Sequence, residues 1–314
     1  KIGKDAGASC IHPGYGFLSE NADFAASVES AGLTFVGPRA ETIRLMGDKN
    51  QSREFAQKTG VPIAPSARQE GDLDKFLADA TQLGFPLLIK PVAGGGGKGM
   101  GIVYNEADLL DYSRTASSEA TRYFADGRIY AERYIERGRH IEVQILGDGT
   151  GGVIHLFERE CSVQRRFQKI IEESPAPSLN SELRRQICET AVNMAREGNY
   201  RNAGTVEFIV APDGEFYFLE TNTRLQVEHP VTELVCDVDL VEAQFRIAET
   251  EELPWHQEDI QRNGHAVECR IYWEEPDGTF FPAVGTVKVL HIPDTPGIQF
   301  DGGIAVGQRI TAAF

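Results

Sequence analysis

Hydrophobic and polar residues alternate with period two along Thr205, Val206, Glu207, Phe208, Ile209 and Val210, the pattern of a strand with one face in a core. Pro212-Asp213-Gly214 then supplies turn residues before Glu215 to Leu219 resume a strand pattern, which predicts a β-hairpin. With Asp213-Gly214 as a two-residue turn, Pro212 faces Glu215, and the same register brings Glu207 opposite Glu220. The chain opens as a βαβ unit. A short apolar run at residues 8–11 leads into the loop HPGYGFLSEN, helical spacing runs from Asn21 to Ala31, Gly32 ends it, and a strand follows at 33–36. Helices are predicted from Arg39 to Met46 and near Gln51 to Lys58, on either side of Gly47-Asp48-Lys49. Between Val61 and Glu132 the order is strand, helix, strand, glycine loop, strand, helix, strand. Two strands follow within residues 139–173, then a helix from Ser181 to Glu197, the hairpin, a helix near Asp239 to Ile247 and a strand from His265 to Ile271. A β-rich stretch runs through Phe281, Val287-Lys288-Val289 and Ile298-Gln299-Phe300. The class is α/β with α+β character.

At 314 residues the chain has room for two or three domains. Cys10, Cys161, Cys188, Cys236 and Cys269 are odd in number and contain no C-x-x-C pair, so neither a disulfide framework nor a zinc knuckle is expected. A reducing compartment is expected instead: the cytoplasm, or the mitochondrial matrix in a eukaryote. No apolar run approaches the ~18 residues of a membrane span, and no secretory signal pattern opens the chain, so neither membrane nor export is expected. The formal charge of −16 argues against nonspecific nucleic-acid binding and makes any local basic cluster informative.

Two glutamates directly opposed on a ladder stand only ~5 Å apart and repel, so Glu207 and Glu220 call for a cation between them. A divalent metal with Asn222 as a third oxygen donor answers that need, and the set suits magnesium; an edge hairpin with its charged face in water is the alternative. Gly94, Gly95, Gly96, Gly97, Gly99 and Gly101 put six glycines into eight residues. Such an entropy cost makes sense where backbone N–H groups approach phosphate, with Lys90 and Lys98 adding charge. Strand-like residues follow, so this is neither a Walker loop nor a dinucleotide fingerprint but a flexible hairpin lid over a nucleotide. Lys49 after its glycine can reach a phosphate or stay exposed. Glu132 can accept from an adenine amino group or sit in water. Arg165, Arg166 and Lys169 concentrate positive charge in an acidic chain and favour an anion site. His12, Tyr15 and Glu20 can line a site, with packing of a strand-to-helix loop the favoured reading.

HPGYGFLSEN, MGDK, LLIKPVAGGGGKGMG, RHIEVQ, ERECSVQRRFQK, EESPAP, GTVEFI, LETNTRLQVEHPVTE and GHAVECRIY together closely resemble the biotin carboxylase component of biotin-dependent carboxylases, from end to end. The resemblance implies an ATP-grasp fold with the remainder of a Rossmann-like N-terminal domain (1–37), a helical linker (38–61), a mobile glycine-loop lid subdomain (62–134) and a catalytic domain with an antiparallel sheet (135–314). It also implies that the first βα portion and roughly the last quarter of the C-terminal domain are missing, and no biotin-carrier motif is present. The implied reaction uses ATP and bicarbonate to carboxylate biotin on a carrier protein. Magnesium (or manganese) assists, and a carboxyltransferase and a second copy of the chain are partners. Lys49, Lys90 and Gly94 to Gly97 would grip phosphates. Glu132 and His140 would lie near adenine and ribose, with Met100, Gln164 and Ile209 also at the nucleotide. Lys169 would approach the γ-phosphate and bicarbonate. Glu207 and Glu220 match metal ligands with Asn222 in support, Arg224, Gln226 and the Val227 amide would hold bicarbonate, and Glu228 would deprotonate it. Two positions depart from the family pattern. Phe167 stands where R-R-H-Q-K has a ribose-contacting histidine, and Gln299 where most members carry an arginine beside bicarbonate. These departures keep open a catalytically impaired nucleotide-binding paralogue, beside an ATP-grasp ligase acting on another carboxylate. RIAETEELPW favours an acyl-CoA carboxylase over a pyruvate carboxylase as the parent complex.

Overall fold

The computed structural model describes residues 1–69, 71–92, 99–275 and 280–311. The chain divides into two compact units, Lys1–Cys269 and Arg270–Phe314. The first opens with α1 (Ile2–Asp5), β1 (Cys10–Ile11), α2 (Ala22–Ser30), β2 (Thr34–Phe35), α3 (Ala40–Gly47) and α4 (Lys49–Lys58). It continues with β3 (Ser66–Arg68), α5 (Leu73–Gln82), β4 (Leu87–Pro91), β5 (Gly101–Val103), α6 (Glu106–Phe124) and β6 (Ile129–Arg133). Then come β7 (Arg139–Asp148), β8 (Val153–Arg165), β9 (Gln168–Ser174), α7 (Ser181–Glu197), β10 (Arg201–Val210), β11 (Phe216–Asn222), α8 (His229–Cys236), α9 (Leu240–Thr250) and β12 (Ala266–Cys269). The second unit holds β13 (Gly285–Thr286) and β14 (Arg309–Ile310).

β1 and β2 pair in parallel around α2, as the opening βαβ pattern predicts. Asn21 caps α2 by accepting from the Phe24 amide, and Gly32 leaves it with φ +74°. β3, β6, β4 and β5 form an antiparallel sheet whose core joins Phe76, Leu87, Ile89, Leu109 and Ile129. The glycine run at 93–98 lies outside the described residues.

The largest sheet has the order β11-β10-β7-β8-β9-β12 and is antiparallel throughout. Because side chains alternate along a strand, β7 sends Ile141, Val143 and Ile145 to one face and His140, Glu142 and Gln144 to the other. The apolar face meets α7, which is capped by Asn180 and contributes Ile187, Cys188, Ala191, Met194 and Ala195 to a core shared with Val206, Phe208 and Val210. The opposite face carries the polar set. Its cover is the segment after β11 with α8, a short helix that the periodicity does not reveal.

The hairpin register is reached by a different route from the predicted one. Pro212, Asp213 and Gly214 form a three-residue loop: the Ala211 amide donates to the Glu215 carbonyl, the Gly214 amide to Ala211, and Gly214 has φ +92°. Val210 therefore pairs with Phe216, one residue off the expected partner, and Phe208 with Phe218. A bulge at Leu219 restores the register, so Glu207 still faces Glu220. The β8–β9 hairpin turns on Arg166 and Phe167, both left-handed with φ +52° and +63°. That turn splits the basic run: Arg166 is exposed at the tip while Lys169 enters the sheet. In the second unit, among the described residues, only β13 and β14 form a ladder, with one isolated Glu274–Pro282 bridge. Val287-Lys288-Val289 and Ile298-Gln299-Phe300 are not strands, since a strand exists only through a paired neighbour. Among the described residues no helix is long and apolar enough to cross a membrane.

Gly147 lies where β7 passes β10, and a Cβ added there would stand 2.0 Å from the Tyr200 carbonyl oxygen, a backbone atom. Gly147→Ala is expected to cost about 1–3 kcal/mol through the forced ladder shift. Urea unfolding followed by circular dichroism measures it, and an unchanged midpoint would show that the ladder yields freely.

Candidate active site

The register of the large sheet sets Glu220, Glu207 and Glu142 on one rung of β11, β10 and β7, with Arg159 of β8 next in line. Opposed residues of an antiparallel pair share a face, so three carboxylates and a guanidinium stand side by side. Glu142 and Arg159 are fully buried and Glu207 is 3% exposed. Buried charges persist only when paired and hydrogen-bonded, and each finds partners here.

Lys169 answers three carboxylates at once. Its ammonium donates to Glu142, to Glu207 Oε1 at 2.9 Å and to Glu228 Oε1 at 2.6 Å. Burial favours the neutral amine, but the charges of Glu142, Glu207 and Glu228 overcome it and hold the group well above the usual lysine range. Glu207 also accepts from Asn222 Nδ2 at 2.8 Å and Gln226 Nε2 at 2.7 Å. His140 Nε2 lies 2.5 Å from its second oxygen. Since Gln164 Nε2 donates to His140 Nδ1 at 2.8 Å, the ring proton sits on Nε2 and points at Glu207. Burial would raise the Glu207 carboxyl; Lys169 and His140 reverse that and keep it well below the usual carboxylate range.

Arg224 extends this network toward solvent. Its Nη2 donates to Asn222 Oδ1 at 3.0 Å and its Nε to Glu20 Oε2 at 2.9 Å. Glu20 also accepts from the Thr223 amide, so the HPGYGFLSEN loop does more than pack: it orients the guanidinium. His12 anchors that loop, accepting from the Gly14 amide at Nδ1 while Nε2 reaches Gln244 Oε1 at 3.0 Å.

A second cluster belongs to the smaller sheet. Glu132, 3% exposed, joins Lys90 on one oxygen and Arg53 of α4 on the other. Its side chain is therefore buried rather than sitting in water, the second of the two environments that the sequence left open. Burial pushes its carboxyl up, and the Lys90 and Arg53 charges overcome this to hold it below 4.5. Tyr130 beside it is raised by burial and feels the Glu220 carboxylate, which puts the two clusters within electrostatic reach.

The structure thus joins His140, Gln164, Lys169, Glu207, Asn222, Arg224, Gln226 and Glu228 in one network and Lys90 with Glu132 in another. Glu220 shares the rung of Glu207. Val227 is partly exposed next to Gln226, Met100 and Ile209 are half-buried, and Lys49 opens α4 behind its Asp48 cap. Gly94 to Gly97 fall outside the described residues. Phe167 is 41% exposed at its turn. Gln299 lies in the second unit, donating to Asp301. Sequence reasoning missed Glu142, Arg159 and Arg53, and favoured packing over a site role for Glu20. The polar alternation His140, Glu142, Gln144 on a strand whose other face is Ile141, Val143, Ile145 was the available signal for Glu142. Arg53 and Arg159 carry none, because only packing reveals their burial.

Residues 48–256 match the family model of the carbamoyl-phosphate synthase L chain ATP-binding domain, and residues 1–43 that of the biotin carboxylase N-terminal domain. Biotin carboxylase 2 of Bacillus subtilis is 48% identical over 312 residues, covering 99% of this chain and 70% of that one. The chain belongs to the biotin carboxylase family. The mitochondrial methylcrotonoyl-CoA carboxylase subunit alpha of Glycine max is 49% identical over 98% of this chain, which spans only 42% of that subunit's length. Among solved structures, the biotin carboxylase domain dimer of Hydrogenobacter thermophilus 2-oxoglutarate carboxylase, in complex with MgADP, ADP and bicarbonate, matches with a TM-score of 0.95 and 44% identity. That match covers all of this chain and 69% of that one. The family is therefore the one that the sequence motifs resemble, and its ATP-grasp fold is the expected one.

The buried Glu132 pairing has a measurable consequence. A depressed carboxyl stabilises the fold above its unfolded value of 4.5 and loses that contribution as pH falls through its folded value. At neutral pH Glu132→Gln is expected to destabilise by about 3 kcal/mol, because Lys90 and Arg53 lose their counter-charge. Below pH 4.5 the gap to the unsubstituted protein should narrow, since protonation removes the same charge. Urea midpoints across this range test it; a gap independent of pH would exclude Glu132 as the titrating group.

Proposed function

We propose that this chain carries out the ATP-dependent carboxylation of biotin on a carrier protein with bicarbonate, through carboxyphosphate. The observation that carries this reading is the single network around Glu207: Gln226 and Lys169 donate to its carboxylate, Lys169 also donates to Glu228, and Arg224 joins through Asn222. Arg224 offers a planar fork suited to a carboxylate-shaped anion, joined by Gln226 and the Val227 amide. Glu228, buried beside them, takes the bicarbonate proton; the resulting oxyanion attacks the γ-phosphate of ATP. Lys169 supplies positive charge where negative charge builds up on the transferring phosphoryl group. Phosphate released when carboxyphosphate breaks down then accepts the ureido proton of biotin. Lys49, Lys90 and the Gly94–Gly97 loop are read as the phosphate grip, with Met100, Glu132, His140, Gln164 and Ile209 around the rest of the nucleotide.

The donor set fits a hard divalent cation. Glu207 and Glu220 share one rung and Asn222 lies on the same face, its carbonyl oxygen accepting from Arg224 and its NH₂ end donating to Glu207. The two carboxylates are the ligand chemistry of magnesium or manganese, and Asn222 would join them once its amide turns. Glu207 and Glu220 would hold such a cation, which would supply positive charge against the negative charge of the nucleotide phosphates. The Lys169 ammonium offsets the Glu207 charge, and His140 donates a hydrogen bond to it.

We take residues 1–37 as the N-terminal domain remainder, 38–61 as linker, 62–134 as the lid subdomain and 135–314 as the catalytic domain. A carrier protein, a carboxyltransferase and a second copy of the chain are the proposed partners, and an acyl-CoA carboxylase is the proposed parent. The free cysteines suit a reducing compartment, the cytoplasm or the mitochondrial matrix. Full-length protein is expected to release ADP only when bicarbonate is present, with biotin stimulating further release. Glu228→Gln should lower that rate by about 10²–10⁴-fold, the range of a general base. ADP release indifferent to bicarbonate and biotin would overturn the proposal.

A further inference from the structure

Arg159 is the largest side chain with no solvent exposure in the molecule's described residues, and none of its hydrogen-bonding capacity is idle. Its Nε donates to Glu142 Oε1 at 2.5 Å. Nη1 donates to Gln144 Oε1 at 2.8 Å and Thr232 Oγ1 at 3.0 Å. Nη2 donates to Thr205 Oγ1 at 3.2 Å and Gln226 Oε1 at 2.9 Å. A guanidinium has five N–H groups in a rigid fork, so every one has its own acceptor. Those acceptors come from β7, β10, α8 and the segment after β11.

We propose that Arg159 is a positioning residue for the anion subsite, setting the orientation of the Gln226 amide and the location of Lys169. This rests on the reading of Gln226 and Lys169 as bicarbonate-site residues. A guanidinium only donates, so only the carbonyl end of Gln226 can face it. The amide's NH₂ end is thereby turned to Glu207 Oε1 at 2.7 Å, on the side of the network where Arg224 and Glu228 also lie. Rotating the amide would oppose N–H to N–H at Arg159 and oxygen to carboxylate at Glu207. Arg159 therefore presents the donor end of Gln226 to an anion. Its second arm works through Glu142, whose Oε1 it holds while Oε2 accepts from Lys169. Lys169 is thus fixed within reach of Glu207 and Glu228. A lysine at 159 would keep the charge but could not fork to Glu142 and Gln226 together.

The test varies bicarbonate and ATP separately in ADP-release assays of the full-length protein. Arg159→Lys is expected to raise KM for bicarbonate about tenfold or more, the size of one lost hydrogen bond to a charged group, with KM for ATP changed less than about twofold. Thr205→Val removes an acceptor from the same Nη2 that holds Gln226 and keeps the side-chain shape. It should give the same signature at a smaller size, about two- to tenfold, because Nη2 keeps its bond to Gln226. In a Gln226→Ala background Thr205→Val should raise KM for bicarbonate no further, and Arg159→Lys only by the smaller share that passes through Glu142 to Lys169. A purely structural role would lower kcat with the folded fraction and leave both KM values in place. Equal rises in both KM values, or full additivity with Gln226→Ala, would overturn the role of Arg159. Should Arg159→Lys not fold, Thr205→Val alone decides. Bicarbonate-independent ADP release by the unsubstituted protein would instead overturn the functional reading beneath it.

Discussion

Three glutamates on one rung of adjacent strands are an electrostatic problem that the rest of the fold is arranged to solve. Strands lie ~4.8 Å apart, so Glu220, Glu207 and Glu142 cannot spread. Glu142 is met by Arg159 and Lys169, and Glu207 by Lys169 and His140. Glu220, at the edge strand, keeps partial exposure. The opposite sheet face carries none of this charge, because α7 covers it with an apolar stripe. One sheet thus separates a packed core from a reactive surface by the alternation of its side chains alone.

The same economy governs the smaller sheet. Lys90 on β4 faces Tyr130 across the ladder, with Glu132 further along β6, and Arg53 reaches in from α4 to complete the Glu132 carboxylate. Breaking either cluster leaves a charge stranded in low dielectric, which costs far more than a surface ion pair is worth. The site is therefore rigid in its ligand-free form for the same reason that it is polar. On the proposed reading, a bicarbonate anion beside Arg224, Gln226 and Glu228 would exchange some of these internal partners for its own.

Much of this arrangement was legible before any coordinates. The Glu207–Glu220 pairing follows from strand alternation and turn residues, yet it holds because a three-residue loop and a bulge at Leu219 offset one another. Local sequence signals a turn at Pro212-Asp213-Gly214 but not its length, since two- and three-residue loops differ by one left-handed glycine. The basic run was read as one cluster, whereas the turn at Arg166 and Phe167 sends its members to opposite environments. The final stretch looked β-rich because β-branched and aromatic residues abound there, and pairing partners, which propensity cannot supply, decide the matter.

The sequence by itself determined most of the elements and the family, because motif spacing and side-chain period are local properties of the chain. Arg159, Arg53 and Glu142 were decided only by the tertiary structure. Their identities are ordinary, and their importance arises from being buried beside particular partners from distant segments. Arg159 draws on acceptors from residue 142 to residue 232. Burial and long-range hydrogen bonding depend on where strands and helices meet in space, and no window along the chain contains that information.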